Sequence, residues 1–426
     1  MSTKRLKLLV VSMLYEPDCV GIAAIATDLC VALAERGHDM TVYTTYPYYP
    51  EWSRKCDANP WRVQEESLNK VKVKRYGLFV PSNPSRLVPR LVHEISFPLS
   101  LMRSLFHRQK YDGVMVFCPL LGSVAFAAMR KLFYREPLWV NIQDIPAEAS
   151  KATGIAKSRL FHYFGSRAQR GLFRQGEVWS SISPEMVAQV EPLKSKQTQL
   201  HLVPNWLTGS LTDNIQRLPA KVVRTSSDPC HLLYCGNIGK KQGLKECCER
   251  LQRCAGEFEF HIHGEGSEAK SVQEWVQTCG DRRFHYGGLM PETEFVQRIH
   301  AADWFVICEK PDAGFSFLPS KLIPCMSIGT PVAAISSRGS PLGQEVRQNS
   351  LGLAAQWSQI EELPGQMIKI CQTPERYAKF RENCRQRAAA FSRETAIDRI
   401  EVLLHKFVGN EVVEPHRDTA PIVVEQ

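Results

Sequence analysis

The feature that most constrains this chain is an alternation running nearly end to end, in which short apolar runs are separated by amphipathic stretches of helical period. Such a pattern folds as a parallel sheet with helices on its faces. Leu8–Met13 reads as the first strand. Ile22–Arg36 follows as a helix, with Ile25, Leu29 and Leu33 about one turn apart, and Gly37-His38-Asp39 closes it before a second strand at Met40–Thr44. Further strands are expected at Val114–Phe117, Leu138–Ile142, Val178–Ser181 and Leu200–Val203. The period lapses across Asn205–Pro229, a stretch rich in Ser, Thr, Asp and Pro. It then restarts, with strands at Leu232–Cys235, Phe258–His263, Phe284–Tyr286, Phe305–Ile307 and Val332–Ile335. Helices are expected near 244–254, 269–279, 292–302, 359–371, 374–389 and 395–407. The 426 residues suit two domains of ~100–200 residues each. The expected fold class is α/β, with two Rossmann-like, doubly wound domains facing a central cleft. The expected divisions are a first domain at 1–205, a linker at 206–229, a second domain at 230–392 and a loose tail at 409–426. A helix at about 393–408 is placed to pack back on the first domain.

Charge separates the two halves. Residues 1–205 hold 27 basic and 17 acidic side chains, a balance of +10, and the remaining 26 and 27 give −1. The first half therefore suits an anionic partner such as a membrane surface, lipid phosphate or nucleic acid. Two segments concentrate the excess. Lys151–Arg174 has six basic residues and no acid, and Pro84–Lys110 has five against Glu94, both interleaved with large apolar residues. Arg86, Arg90, Arg103, Arg159, Arg167 and Arg170 are the candidate contacts to an anionic surface. No nucleic-acid motif is present. The 14 cysteines show no C-x-x-C and no framework spacing, so reduced, mostly buried thiols are expected, with neither disulfides nor a metal site. Lys4-Arg5-Leu6-Lys7 and the apolar run after it mimic a signal peptide, but Glu16 and Asp18 follow and no cleavage site does, so a buried first strand is the better reading. The longest uncharged run, Val114–Met129, is too short and too broken by Pro119 and Gly122 to span a membrane.

Ligands of open α/β sheets bind beyond the carboxyl ends of strands. Gly21, before the first helix, allows close approach of a ligand, or marks a plain turn. Gly236-Asn237-Ile238-Gly239-Lys240-Lys241-Gln242-Gly243 follows the first strand of the second half, and its lysines supply charge where a diphosphate would lie. It lacks the Gly-Lys-Ser/Thr ending of a P-loop. Glu309-Lys310-Pro311-Asp312 leads to Leu318-Pro319-Ser320-Lys321-Leu322, where Ser320 suits a helix cap. Lys321 runs against the macrodipole unless an anion is bound there. Asp144, after a strand, orients or deprotonates a hydroxyl, or caps a helix. Glu265, in His263-Gly264-Glu265-Gly266, meets a ligand or solvates a turn.

Taken in order, these loops resemble the retaining GT-B glycosyltransferases of family four, above all the WcaI-like group of colanic acid and exopolysaccharide biosynthesis. The resemblance runs from about Leu6 to Phe407. It rests on Tyr15-Glu16-Pro17-Asp18 with Gly21-Ile22, Arg36-Gly37-His38, and Tyr46-Pro47-Tyr48-Tyr49-Pro50-Glu51-Trp52. Val80-Pro81, Asn83-Pro84-Ser85, Ile142-Gln143-Asp144 and Val203-Pro204-Asn205-Trp206 continue it. The second half adds Gly236-Asn237-Ile238-Gly239, Lys241-Gln242-Gly243-Leu244 and Leu318-Pro319-Ser320-Lys321-Leu322. The resemblance implies transfer from a nucleotide-sugar held by the second domain to a lipid-linked saccharide acceptor, on the cytoplasmic membrane's inner face, without a metal or other cofactor. Lys241 and Lys321 would hold the donor diphosphate with Lys310 nearby, Gly21 would approach its phosphate, and Asp144 would lie near the acceptor. The chain departs from the family at two points. The paired glutamates before Gly329-Thr330-Pro331-Val332 fall at Ser316 and Pro324, leaving Asp312 or Glu309 for the sugar. Gln242 stands where a lysine is usual. An inactive scaffold of polysaccharide assembly and a nucleotide-sugar 2-epimerase share the fold and remain alternatives.

Overall fold

The two stretches of alternation build two sheets. The structure, a computed structural model, describes residues 4–18, 21–55, 62–83, 86–118, 121–145, 159–221, 228–311 and 318–409. The first sheet comprises β1 (Lys7–Val11), β2 (Asp39–Thr45), β3 (Gln64–Leu68), β4 (Val71–Tyr76), β5 (Gly113–Cys118), β6 (Leu138–Ile142), β7 (Val178–Ser181) and β8 (Gln199–Leu202). Its strands lie in the order β3-β4-β2-β1-β5-β6-β7-β8. The second comprises β9 (Cys230–Cys235), β10 (Phe258–His263), β11 (Phe284–Gly287), β12 (Trp304–Cys308), β13 (Val332–Ile335) and β14 (Gly352–Ala355), in the order β11-β10-β9-β12-β13-β14. All pairings are parallel except β3 with β4. The two-domain α/β fold is the expected one.

Burial explains why the strands are continuously apolar. Leu8 and Val10 of β1 join Ile25, Leu29 and Leu33 of the helix Ile22–Glu35 in one core. Leu9 and Val11 join Val114, Val116, Val140 and Trp179 in another, on the opposite face. A parallel sheet covered on both sides needs apolar residues at every position. The basic N-terminal run thus leads into a central strand.

Several elements went unread in the sequence, β4 and β14 among them, and two show why. β3, Gln-Glu-Glu-Ser-Leu, has no apolar alternation because it is an edge strand facing solvent, pairing antiparallel with β4 through Lys74–Glu65 and Arg75–Glu66. Within the stretch read as a linker, Gly209–Gln216 is a helix, and Leu211, Ile215 and Leu218 pack on the core of the second sheet. Two turns are too short to show a sustained period.

The final helix, Arg393–Phe407, buries Ile397, Ile400 and Leu404 in the core of the first sheet. Arg36 meets its Glu394, Asp398 and Glu401. Asp28 is the junction. Its carboxylate accepts from Trp206 Nε1 at 2.7 Å, Gly209 N at 2.8 Å and Arg393 Nε at 3.0 Å, joining the first helix, the connection and the last helix. Among the described residues every cysteine is free, and no helix is long and apolar enough to cross a membrane.

Candidate active site

Strand order locates the crevices. In each sheet the chain runs outward in one direction, then resumes on the other side of its first strand: between β1 and β5 in the first sheet, between β9 and β12 in the second. Loops leaving the carboxyl ends at such switch points diverge and open a crevice. The loop after β1 carries Gly21, that after β9 carries residues 236–243, and that after β12 begins with Glu309.

Gly21 caps the helix Ile22–Glu35 at φ +62°, and a Cβ built there would meet nothing within 4 Å. Glycine is therefore required by backbone conformation rather than by crowding among the described residues. The diphosphate-type loop is built differently, as two loops in contact. Gly236 N donates to His263 O and Ile238 N to Glu265 O. A Cβ on Gly264 would stand 1.9 Å from Gly236 O, so only glycine lets the loops close. The departure at Gln242 also has a local cause, since its Oε1 accepts from Gly239 N at 3.1 Å and closes the turn from inside. Asn237 is exposed at the tip, and its carbonyl accepts from Tyr234 Oη at 2.6 Å. Glu265 is exposed beside it.

Asp144 follows β6 and Lys241 follows β9, and the Lys241 charge is felt at Asp144 across the two sheets. Burial raises the Asp144 carboxyl above its ordinary value, while the Ile145 N–H and the Lys241 ammonium pull it back toward the charged form. The Ile145 N–H reaches Asp144 Oδ1 at 2.8 Å. Lys321 stands on the second sheet's side, with Nζ 4.6 Å from the centre of the Phe295 ring and its charge felt by Cys235 at the end of β9. One expectation needs correcting. Ser320 does not cap the helix Leu322–Ile328: Lys321 occupies the cap position and no side chain caps it. Lys310 stands beside the loop, its backbone N–H donating to Lys241 O and its Nζ 3.1 Å from Glu246. Asp312 and Ser316 lie outside the described residues.

Glu309 is the residue whose weight the sequence understated. Its backbone carbonyl accepts from Trp357 Nε1 at 2.7 Å, its Oε2 is buried with no hydrogen-bond partner among the described residues, and burial pushes its carboxyl up to about 7. The ordinary glutamate value is 4.5. Between these two values the folded chain holds a proton that the unfolded chain has released, so stability falls as pH rises through this window and stays lower above about 7. Glu309→Gln removes that slope: the variant melts above wild type at pH 8 and close to it at pH 5. An equal difference at both pH values would show that Glu309 does not carry the proton.

Comparison with known proteins joins this geometry to a chemistry. Residues 20–206 match the glycosyl transferase 4-like domain. Across 349 residues the chain is 26% identical to the putative colanic acid biosynthesis glycosyl transferase WcaI of Escherichia coli strain K12, covering 80% of this chain and 85% of that one. This is a glycosyltransferase of the GT-B type, related to WcaI. The fold is shared with sucrose-phosphate synthase of Thermosynechococcus elongatus, at a TM-score of 0.70, 16% identity and coverage of 94% and 99% of the two chains. It is also shared with Anabaena HepE in complex with UDP and glucose, at 0.65, 13%, 94% and 99%.

Several motifs of the glycosyltransferase prove to be scaffolding. Asp18 is buried and accepts from the backbone N–H groups of Tyr48 and Tyr49 at 3.2 Å each, with Lys55 Nζ at 3.1 Å. It therefore clamps the aromatic segment, where Tyr48, Tyr49 and Trp52 pack with His93. The Gln143 and Asn205 carboxamides pair reciprocally at 3.1 and 3.0 Å, tying the segment before Asp144 to the chain after β8.

The basic candidates divide. Arg86 and Arg170 are exposed, and Arg170 also reaches Pro192 O. Arg167 is exposed and Arg103 half-buried. Arg90 is engaged instead, 5.0 Å over Trp52 and 3.5 Å from Glu94. The Arg159 side chain lies outside the described residues, as does the whole 151–158 segment. What the sequence did not disclose is which side of the helix Leu87–Leu101 faces outward. Val88, Val92, Ile95 and Leu99 are 68%, 46%, 55% and 64% exposed, and at ~100° per residue they fall within an arc of roughly 60°. On the neighbouring helix Leu121–Tyr134, Leu132 and Phe133 are exposed as well.

Proposed function

We propose that this glycosyltransferase moves a sugar, with retention, from a GDP- or UDP-sugar to a saccharide on polyprenyl diphosphate, in exopolysaccharide, capsule or O-antigen assembly. The observation that carries the reading is a glycine-and-lysine loop at one switch point whose Lys241 charge acts on a buried carboxyl, Asp144, of the other sheet. The WcaI relative's name places it in colanic acid biosynthesis, and HepE binds UDP-glucose, which supports a nucleotide-sugar donor.

In this scheme Lys241 and Lys321 receive the donor diphosphate. The acceptor hydroxyl attacks C1 from the face the diphosphate leaves. Its bond to C1 forms as the C1–phosphate bond breaks, and its proton passes to the departing phosphate oxygen. Asp144 orients the acceptor by accepting from a neighbouring hydroxyl of the same sugar, which leaves the attacking hydroxyl's proton to the phosphate. Fixed lysines neutralise the charge that builds on the leaving group, so the scheme needs no metal. Incubating the enzyme and membranes from its host with labelled GDP- and UDP-sugars tests the reading. Label is expected in the lipid extract from one donor. Label in free sugar or in an epimerised donor, with none in lipid, would refute the acceptor assignment.

The outward apolar stripe, bordered by Arg86 and Arg103, supports docking on the inner face of the cytoplasmic membrane, where basic residues meet anionic headgroups. Ile95→Asp with Leu99→Asp removes two side chains worth ~1.5–3 kcal/mol each on burial. The double variant is expected to bind anionic vesicles at least 100-fold more weakly than wild type in flotation. Equal flotation would contradict a lipid-facing stripe.

A further inference from the structure

The second sheet carries a cluster that sugar transfer does not use. Strand register assembles it. Glu259 on β10 stands opposite His231 on β9, and His261, two residues further along, stands opposite His285 on β11. Residues two apart on a strand share a face, so three imidazoles and a carboxylate project from one side of three adjacent strands. His231 Nε2 lies 3.8 Å and His261 Nε2 3.3 Å from the same atom, Oε2 of Glu259. The His261 and His285 rings stack 4.6 Å apart at an interplanar angle of 15°. One ligand atom each from His231, Glu259 and His261 lies within 4.8 Å of the others, and all three side chains reach solvent.

These separations are those of a metal site slightly opened. With metal–ligand bonds of ~2.0–2.2 Å, the ligand atoms of a tetrahedral zinc stand ~3.3 Å apart. We propose that His231, Glu259 and His261 bind a borderline divalent cation of the zinc class, with water in the fourth position. Two imidazoles and one carboxylate favour zinc, nickel or copper over magnesium or calcium, which take oxygen donors. His285, stacked on His261, fixes the plane of that ligand. The site lies at the starting ends of the strands: His231 precedes Gly236 by five residues, ~16 Å along the strand, so the bound cation crosslinks β9 to β10 away from the cleft. No spacing in the chain announces it, because its members meet only through register.

Two other clusters bring ligand atoms as close. In His38, Glu401 and His405, the Leu6 N–H donates to His38 Nδ1 at 3.2 Å, which leaves the ring proton on Nε2, aimed at Glu401 at 3.1 Å. That nitrogen has no lone pair for a metal. In Cys230, Asp303 and Cys371, the two sulfurs are 3.8 Å apart, Cys371 Sγ accepts from Trp304 Nε1, and Asp303 accepts from His231 N. A metal there would be bound through thiolate.

The test uses the full chain, stripped with chelator and titrated with Co²⁺ and Zn²⁺. About one equivalent is expected to bind at micromolar concentration, with visible Co²⁺ bands and no near-ultraviolet thiolate band. His261→Ala should abolish this binding, and Glu259→Gln should weaken it, while circular dichroism and nucleotide binding remain those of wild type. Failure to bind either metal, binding unchanged in His261→Ala, or a thiolate band would each overturn the proposal.

Discussion

Replacing Lys321 by alanine lowers the rate of sugar transfer by about 10²–10³-fold, or about 3–4 kcal/mol in the barrier. The size follows from where charge develops. A nucleoside diphosphate leaves with new negative charge on its outer phosphate, and a donor already aimed at that position stabilises it without reorganising. Lys321 is held in place before any ligand arrives. Its Nζ rests 4.6 Å over the ring of Phe295, a residue buried in the helix Glu292–Ala301, beside the carboxyl end of β9. Lys321→Arg keeps the charge but changes its shape and reach, so it should recover only part of the rate. Because no side-chain hydrogen bond of Lys321 caps its helix, the melting temperature should change little. A loss below tenfold in Lys321→Ala would place the stabilising charge elsewhere, with Lys241 the next candidate.

The largest expected effect on stability lies far from the cleft. Arg130 and Glu136 are both fully buried, with Nε to Oε2 at 2.9 Å and Nη2 to Oε1 at 2.8 Å. Glu136 also accepts from Tyr111 N at 2.8 Å, and Arg130 lies 4.6 Å over Tyr134. Glu136→Ala leaves a buried guanidinium without its counter-charge and a backbone N–H without its acceptor. Breaking such a pair costs about 3–5 kcal/mol, although the intact pair itself adds little over apolar packing. Urea unfolding of the first domain should show a loss of that size. A loss under 1 kcal/mol would mean that water reaches the guanidinium. Replacing both residues by apolar side chains of similar volume should recover most of the loss.

The sheets were legible because their strands are buried on both faces, so the apolar runs are long and the helices between them strongly periodic. β3 and the helix Gly209–Gln216 were not, for opposite reasons: one is polar because it is an exposed edge, the other too short to show a period. The candidate site was partly legible. The loops that carry Lys241 and Asp144 follow the strands expected of them, and the glycine of 264 is explained by the carbonyl it must admit. Motif residues such as Asp18, Gln143 and Asn205 could not be sorted into chemistry or scaffolding from the chain alone, because their partners lie tens of residues away. The partner of Lys310 was hidden for the same reason. Its pairing with Glu246 depends on a helix that only the fold brings alongside.

The most direct measurement of the account is thermal unfolding with UDP, GDP, ADP and CMP, on wild type and Lys321→Ala. A ligand at ~100 times its dissociation constant stabilises the fold by roughly 2.7 kcal/mol. One diphosphate nucleotide should raise the wild-type melting temperature, and the rise should be lost or much reduced in the variant. A rise of equal size in both proteins would contradict the placement of Lys321 on the donor diphosphate, and no rise with any nucleotide would contradict a nucleotide-sugar site in this cleft.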